Sequence, residues 1–110
     1  MTKDDTIAEV TRRLIEYYDP ERVYLFGSIA RGEAGEDSDF DFCVVLPDRA
    51  DEKLYRPGGR SALRKLGAAV DVVRWPASDF DARAAHVAAS LPATIVREGR
   101  LLYDARRVAA

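Results

Sequence analysis

Residues 23–41 read VYLFGSIARGEAGEDSDFD, and this stretch indicates how the chain folds. It begins with apolar residues typical of a buried strand and reaches Gly27-Ser28, where that strand is expected to end. Small and charged residues follow, and then Asp39 and Asp41 open a second apolar run, FDFCVVL at 40–46. Two unpaired carboxylates at the start of a buried strand are costly, and a bound cation would explain them.

Helical and extended patterns alternate on both sides of this stretch. Ile7, Val10 and Leu14 recur at helical spacing after Asp4 and Asp5, which suit the cap and first turn of a helix. The predicted elements in chain order are helix 5–18, strand 22–26, strand 40–46, helix 60–67, strand 69–75, helix 78–91, a short helix after Pro92 and an edge strand at 100–104. This order predicts an α/β fold with helices packed against one small sheet.

Composition limits the classes of function. A length of 110 residues, 47% of them hydrophobic and 33% charged, predicts one globular domain over residues 1–110. A net charge of -2 disfavours bulk nucleic-acid binding. The single cysteine, Cys43, lies in an apolar run and excludes an internal disulfide. No apolar run approaches the roughly 18 residues of a membrane span, so no membrane association and a cytoplasmic location are expected.

The spacing of the acidic residues predicts a site. Residues two apart on a strand share a face, so Asp39, Asp41 and Cys43 are expected on one side and Phe40 and Phe42 in the core on the other. The carboxylate side of the strand should then be open. In AVDVVRW, at 69–75, Asp71 has the same position at the start of a strand and is the candidate third acid.

Three converging carboxylates suit Mg²⁺, a hard cation that takes carboxylate, water and phosphate oxygens. Two such ions about 3.5–4 Å apart are typical of phosphoryl-transfer sites. Asp39, Asp41 and Asp71 are therefore the predicted metal ligands. Zinc is disfavoured, because His86 and Cys43 have no companions at ligand spacing.

Gly27-Ser28 directly after the first strand is a candidate phosphate-binding turn. Glycine lets the backbone approach a phosphate closely, and Arg31 adds a positive charge nearby. A Walker-type loop is excluded, because Glu33-Ala34 stands where Lys and Ser or Thr are needed. A calcium-binding EF-hand loop, read from Asp37, also fits poorly, because Phe42 occupies the position that needs glycine.

These residues together resemble a known family. GSIARGEAGEDSDFD fits the pattern G-S-x(10)-D-x-D of the DNA polymerase beta-like nucleotidyltransferases, and it is most similar to the small bacterial MNT-type minimal nucleotidyltransferases. The resemblance extends to AVDVV and to the late IVREGRLLYD at 95–104, so it covers nearly the whole chain.

The resemblance implies a mixed sheet flanked by helices and a Mg²⁺-dependent transfer of a nucleoside monophosphate. Asp39 and Asp41 would bind two Mg²⁺ ions and the nucleotide, and Asp71 would bind the catalytic metal and help deprotonate the acceptor hydroxyl. Gly27 and Ser28 would hold the triphosphate, with ATP as the usual substrate. The acceptor oxygen would attack the α-phosphorus and release pyrophosphate.

The resemblance also implies a partner. MNT-type proteins commonly pair with an all-helical HEPN-domain toxin and act as its antitoxin. In many cases they neutralise the toxin by transferring AMP to one of its tyrosines. Two alternatives remain open from the sequence. One is an antitoxin that neutralises its partner by binding alone, and the other is a homodimeric nucleotidyltransferase acting on a small molecule such as an antibiotic.

Overall fold

The structure, a computed structural model, describes residues 2–33, 39–56, 62–63 and 66–108. Its elements, in chain order, are α1 (Lys3–Tyr18), β1 (Arg22–Phe26), α2 (Gly27–Ala30), β2 (Phe40–Leu46), a 3-10 turn (Glu52–Tyr55), β3 (Val70–Pro76), α3 (Ala77–His86), α4 (Leu91–Glu98), β4 (Arg100–Asp104) and α5 (Ala105–Val108). The result is a small α/β domain built on one mixed sheet, as the sequence predicted.

The four strands lie in the order β3-β2-β1-β4. β1 runs antiparallel to both β2 and β4, whereas β2 and β3 are parallel. The expected edge strand at 100–104 is confirmed, and its register against β1 shifts between Val23 and Tyr24. A bulge of this kind twists an exposed edge and discourages pairing with another chain.

α1 covers one face of the sheet with an apolar stripe. Val10 and Leu14 are fully buried there, against alternate residues of β2 that include Phe40 and Phe42. The two phenylalanines therefore lie in the core, as the alternation predicted. The helix is capped by Thr2, whose hydroxyl accepts a hydrogen bond from the Asp5 backbone N–H, so the cap lies before the predicted Asp4 and Asp5.

The other face of the sheet is covered by α3 and α4. Cys43 and Val45, on this face of β2, are fully buried in a cluster with Phe80 of α3 and Ile95 of α4. The prediction that the side of β2 bearing Asp41 would be open is therefore wrong for most of the strand. Only the end of the strand where Asp41 lies remains accessible, since Asp41 itself is partly exposed.

Two predicted helices differ in outcome. The helix expected at 78–91 ends at His86, because Ser90 caps a separate helix: its hydroxyl accepts a hydrogen bond from the Ala93 N–H and donates one to the Arg83 carbonyl. The short helix after this break is confirmed as α4. Four of the eight residues of the helix expected at 60–67 lie outside the described residues. Within the part of the chain that is described, no helix is long and apolar enough to cross a membrane.

Gly99 joins α4 to β4 where two backbones meet. A Cβ atom at this position would lie 2.9 Å from the Leu25 carbonyl oxygen and 2.5 Å from that of Ile95. Both distances are shorter than a carbon–oxygen van der Waals contact, so no side chain fits. The end of α4 is thereby held against the backbone of β1, two residues before Gly27.

Candidate active site

The sheet register brings two of the predicted acids together. Asp41 is paired with Asp71 across the parallel strands β2 and β3, and with Phe26 across the antiparallel strands β1 and β2. Val70 and Val72 pack into the core on the α1 side, which leaves Asp71 on the same face as Asp41. Asp71 is exposed, and Asp39, which immediately precedes β2, is exposed as well.

Gly27 lies directly against the Asp41 carboxylate. Its φ of +78° falls in the left-handed region that favours glycine. A Cβ atom there would collide with Asp41 Oδ2 and would lie 3.2 Å from Asp41 Cγ. The glycine that ends β1 is thus required both by the backbone turn and by the close approach of the acidic side chain.

Ser28 follows Gly27 in α2, which is a single helical turn. The turn is closed by backbone hydrogen bonds from Arg31 N–H to the Gly27 carbonyl (3.2 Å) and from Glu33 N–H to the Ser28 carbonyl (3.0 Å). Ser28 is partly buried, and its hydroxyl makes no hydrogen bond to any residue that the structure describes. The hydroxyl, one residue after Gly27, is thus not engaged by the described part of the chain and is available to a ligand.

The three acids form one electrostatic group. The pKa of Asp41 is raised above its ordinary value by partial burial, then by the negative charge of Asp71 and then by that of Asp39. Arg31 acts in the opposite direction and lowers the pKa of Asp41. Asp41 therefore lies close enough to Asp71 and to Asp39 to feel the negative charge of each, at the end of the sheet where Gly27 lies.

Two carboxylates flank Arg31 at the side of these acids, one through a hydrogen bond and one at ion-pair distance. Its Nε lies 3.1 Å from Glu33 Oε2, and its Nη1 lies 4.0 Å from Glu98 Oε1 at the end of α4. The guanidinium, with about two fifths of the side chain exposed, supplies positive charge at the border of the site.

Among the described residues, no three His, Cys, Asp or Glu side chains are arranged as a ready-made cage for a metal ion. The donor set nevertheless suits a hard cation, since it consists of carboxylates whose mutual repulsion a divalent ion would relieve. A small number of protein ligands is usual for Mg²⁺, because water and substrate phosphate supply much of its coordination. The Mg²⁺ site stays a prediction.

Because Asp41 is repelled by neighbouring carboxylates, we expect a pH-dependent difference in stability between the wild type and an uncharged Asp41 variant when no metal is present. A raised folded-state pKa means that the folded chain holds this proton more tightly than the unfolded chain, so ionised Asp41 destabilises the fold once the pH rises above the ordinary value of 3.8. Asp41→Asn should therefore be more stable than wild type at pH 7 by up to about 1 kcal/mol. The advantage should shrink as the pH falls through the raised folded-state pKa of Asp41 and should be absent below the ordinary value of 3.8.

Urea unfolding of both proteins with chelator present, between pH 3 and pH 8, measures this difference. An advantage of the variant that grew on acidification would contradict the repulsion between the carboxylates.

Comparison with known proteins identifies the family. The nucleotidyltransferase domain family matches residues 6–102, which extend from within α1 to within β4 and include all the residues of the candidate site. The chain belongs to the nucleotidyltransferase domain family. Members of this family typically use a nucleoside triphosphate and a divalent metal, which supports a transferase activity for the chain.

Solved structures share the fold. A toxin-antitoxin crystal structure with AMP-PNP is 20% identical, with a TM-score of 0.60, over 97% of this chain and 77% of that chain. A Sulfolobus solfataricus protein provisionally described as a nucleotidyltransferase is 21% identical, with a TM-score of 0.58, over 94% of this chain and 81% of that chain. No curated protein matches the sequence.

Sequence reasoning overlooked two residues beside the candidate site of this nucleotidyltransferase domain. Glu98 contacts Arg31, and Gly99 holds the end of α4 close to β1. Both lie within IVREGRLLYD, a segment that resembled the family without suggesting a role for either residue. Their contacts depend on how α4 packs on the sheet, and the local sequence does not specify this.

Proposed function

We propose that this nucleotidyltransferase transfers AMP from ATP to a hydroxyl group of a partner protein, as the antitoxin of a HEPN-domain toxin. The proposal rests on one observation: Asp41 is paired with Asp71 in the sheet and lies against Gly27, at the same end of the sheet. The likeness to a toxin-antitoxin structure containing AMP-PNP supports the choice of nucleotide and of a protein partner.

Each residue has a role in the proposed reaction. Asp39, Asp41 and Asp71 would hold Mg²⁺, which when bound offsets the charge of the triphosphate. Gly27 leaves room for phosphate beside the backbone, and Ser28 donates a hydrogen bond from its hydroxyl. Arg31 attracts the phosphate charge.

The transfer step is a displacement at the α-phosphorus. The acceptor oxygen forms a bond to phosphorus, and the bond to the oxygen bridging the α- and β-phosphates breaks, so that pyrophosphate leaves with that bonding pair. Asp71, exposed at the start of β3, accepts the hydroxyl proton. Positioning of the two reactants and electrostatic stabilisation provide most of the acceleration.

Dependence on a divalent metal tests the proposal. The purified protein, incubated with a HEPN-domain partner and ATP labelled at the α-phosphate, should label the partner in the presence of Mg²⁺ or Mn²⁺. Excess chelator should abolish the labelling, because the three carboxylates cannot hold the triphosphate without a cation. ATP labelled at the γ-phosphate serves as the control and should leave the partner unlabelled. Undiminished transfer in chelator would contradict the assignment of the acids.

A further inference from the structure

Among the residues that the structure describes, Arg31 is the basic residue whose charge affects the Asp41 carboxylate. Two acidic residues lie beside its side chain. Glu33 lies two residues further along the same turn, whereas Glu98 comes from the end of α4 on a different part of the chain. A guanidinium has five N–H donors, so neither contact exhausts its capacity to bind a phosphate. The contact with Glu98 is the one that the tertiary fold provides.

Glu98 reaches Arg31 because of the residue that follows it. Gly99 allows α4 to end in contact with the backbone of Leu25, and the Gly99 N–H donates to the Ile95 carbonyl at 2.7 Å. Since Leu25 lies two residues before Gly27, the last residue of α4 is fixed relative to the candidate phosphate-binding turn. The other carboxylate oxygen of Glu98 lies 3.7 Å from Arg97 Nη2, which orients the side chain further.

We propose that Glu98 is a positioning residue that holds the Arg31 guanidinium beside Asp41 in the orientation in which it binds nucleotide. The inference rests on the function proposed above. A free arginine side chain loses considerable rotamer entropy when it binds a phosphate, and a side chain that is already held loses less. Glu98 therefore increases nucleotide affinity through Arg31 and touches neither the nucleotide nor the acceptor.

The test is a double-mutant cycle on ATP binding. Glu98→Gln should weaken the binding of Mg²⁺-ATP, measured by calorimetry, by about threefold, in keeping with the modest strength of a partly exposed ion pair. KM for ATP should rise by a similar factor while kcat stays within about twofold of wild type. In an Arg31→Ala background, Glu98→Gln should have no further effect on either quantity.

The matched control is Glu16→Gln on α1. Glu16 is also an exposed glutamate in an ion pair, with Arg12 at 3.0 Å, but it lies outside the candidate site. This variant should bind ATP as the wild type does. The NMR signals of the Arg31 Nη–H protons, which lie on the Glu98 side of the guanidinium, give a readout independent of activity: their exchange with water should accelerate in Glu98→Gln and remain unchanged in Glu16→Gln.

Three outcomes would overturn the inference. Wild-type ATP affinity in Glu98→Gln would overturn it and leave the nucleotidyltransferase proposal standing. An equal loss of affinity in the Arg31→Ala background would show that Glu98 acts independently of Arg31. Failure of the wild-type protein both to bind ATP with Mg²⁺ and to transfer AMP would overturn the proposed function and the inference together.

Discussion

Asp41→Asn is expected to lower kcat/KM for AMP transfer by at least about 10³-fold while the protein stays folded. The substitution keeps the shape of the side chain and removes the charge that lies between Asp71, Asp39 and Gly27. A neutral amide binds Mg²⁺ far more weakly than a carboxylate, so the triphosphate loses its anchor. The loss should appear in steady-state transfer with α-labelled ATP, and circular dichroism should show an intact fold.

Asp81→Asn is the matched control for this loss. Asp81 is an aspartate of α3 that forms an ion pair at 2.8 Å with Arg22, at the opposite end of β1 from Gly27. The Asp81→Asn substitution should change kcat/KM for AMP transfer by less than about twofold. Activity in Asp41→Asn close to that of Asp81→Asn would show that Asp41 is not part of the catalytic machinery.

Gly27→Ala is expected to lower activity by about 100-fold or more and to destabilise the protein by about 1–3 kcal/mol. Alanine is strained at a φ of +78°, and its methyl group would collide with the Asp41 carboxylate. Either the turn or the carboxylate must move, and both belong to the proposed nucleotide site. Transfer kinetics and urea unfolding of the same preparation separate the two effects.

Gly32→Ala separates backbone strain from the collision. Gly32 has a similar φ of +74°, but a Cβ atom there would meet no atom of the described residues within 4 Å. This variant should lose comparable stability and keep most of its activity. If the two alanine variants lost activity equally, the contact between Gly27 and Asp41 would have no special role in transfer.

Much of this arrangement could be predicted from local spacing. Alternation along β2 assigned Phe40 and Phe42 to the core, and the structure confirms both positions. The same alternation in 69–75 assigned Asp71 to the face opposite its valine neighbours, and the parallel register then pairs it with Asp41. Strand periodicity is informative here because successive side chains point to opposite faces of the sheet and the buried residues are large.

The features that escaped prediction depend on contacts between distant parts of the chain. Cys43 and Val45 are ordinary residues for either a half-buried or a fully buried strand, and only the packing of α3 and α4 decides between the two. The helix expected at 78–91 ended early because Ser90 caps the next helix, and an alanine-rich segment gives little warning of such a break. Glu98 shares no local pattern with Arg31, so its contact emerged only from the fold.

The most direct test of the proposed activity is mass spectrometry of a HEPN-domain partner co-expressed with wild-type protein or with Asp71→Asn. Asp71 is exposed, and its replacement by a similar side chain should leave the complex intact while removing a metal ligand and the proton acceptor. We expect a partner carrying one AMP per modified hydroxyl with wild type, and an unmodified but bound partner with Asp71→Asn. An unmodified partner that is bound and neutralised equally well by both proteins would contradict it and favour neutralisation by binding alone.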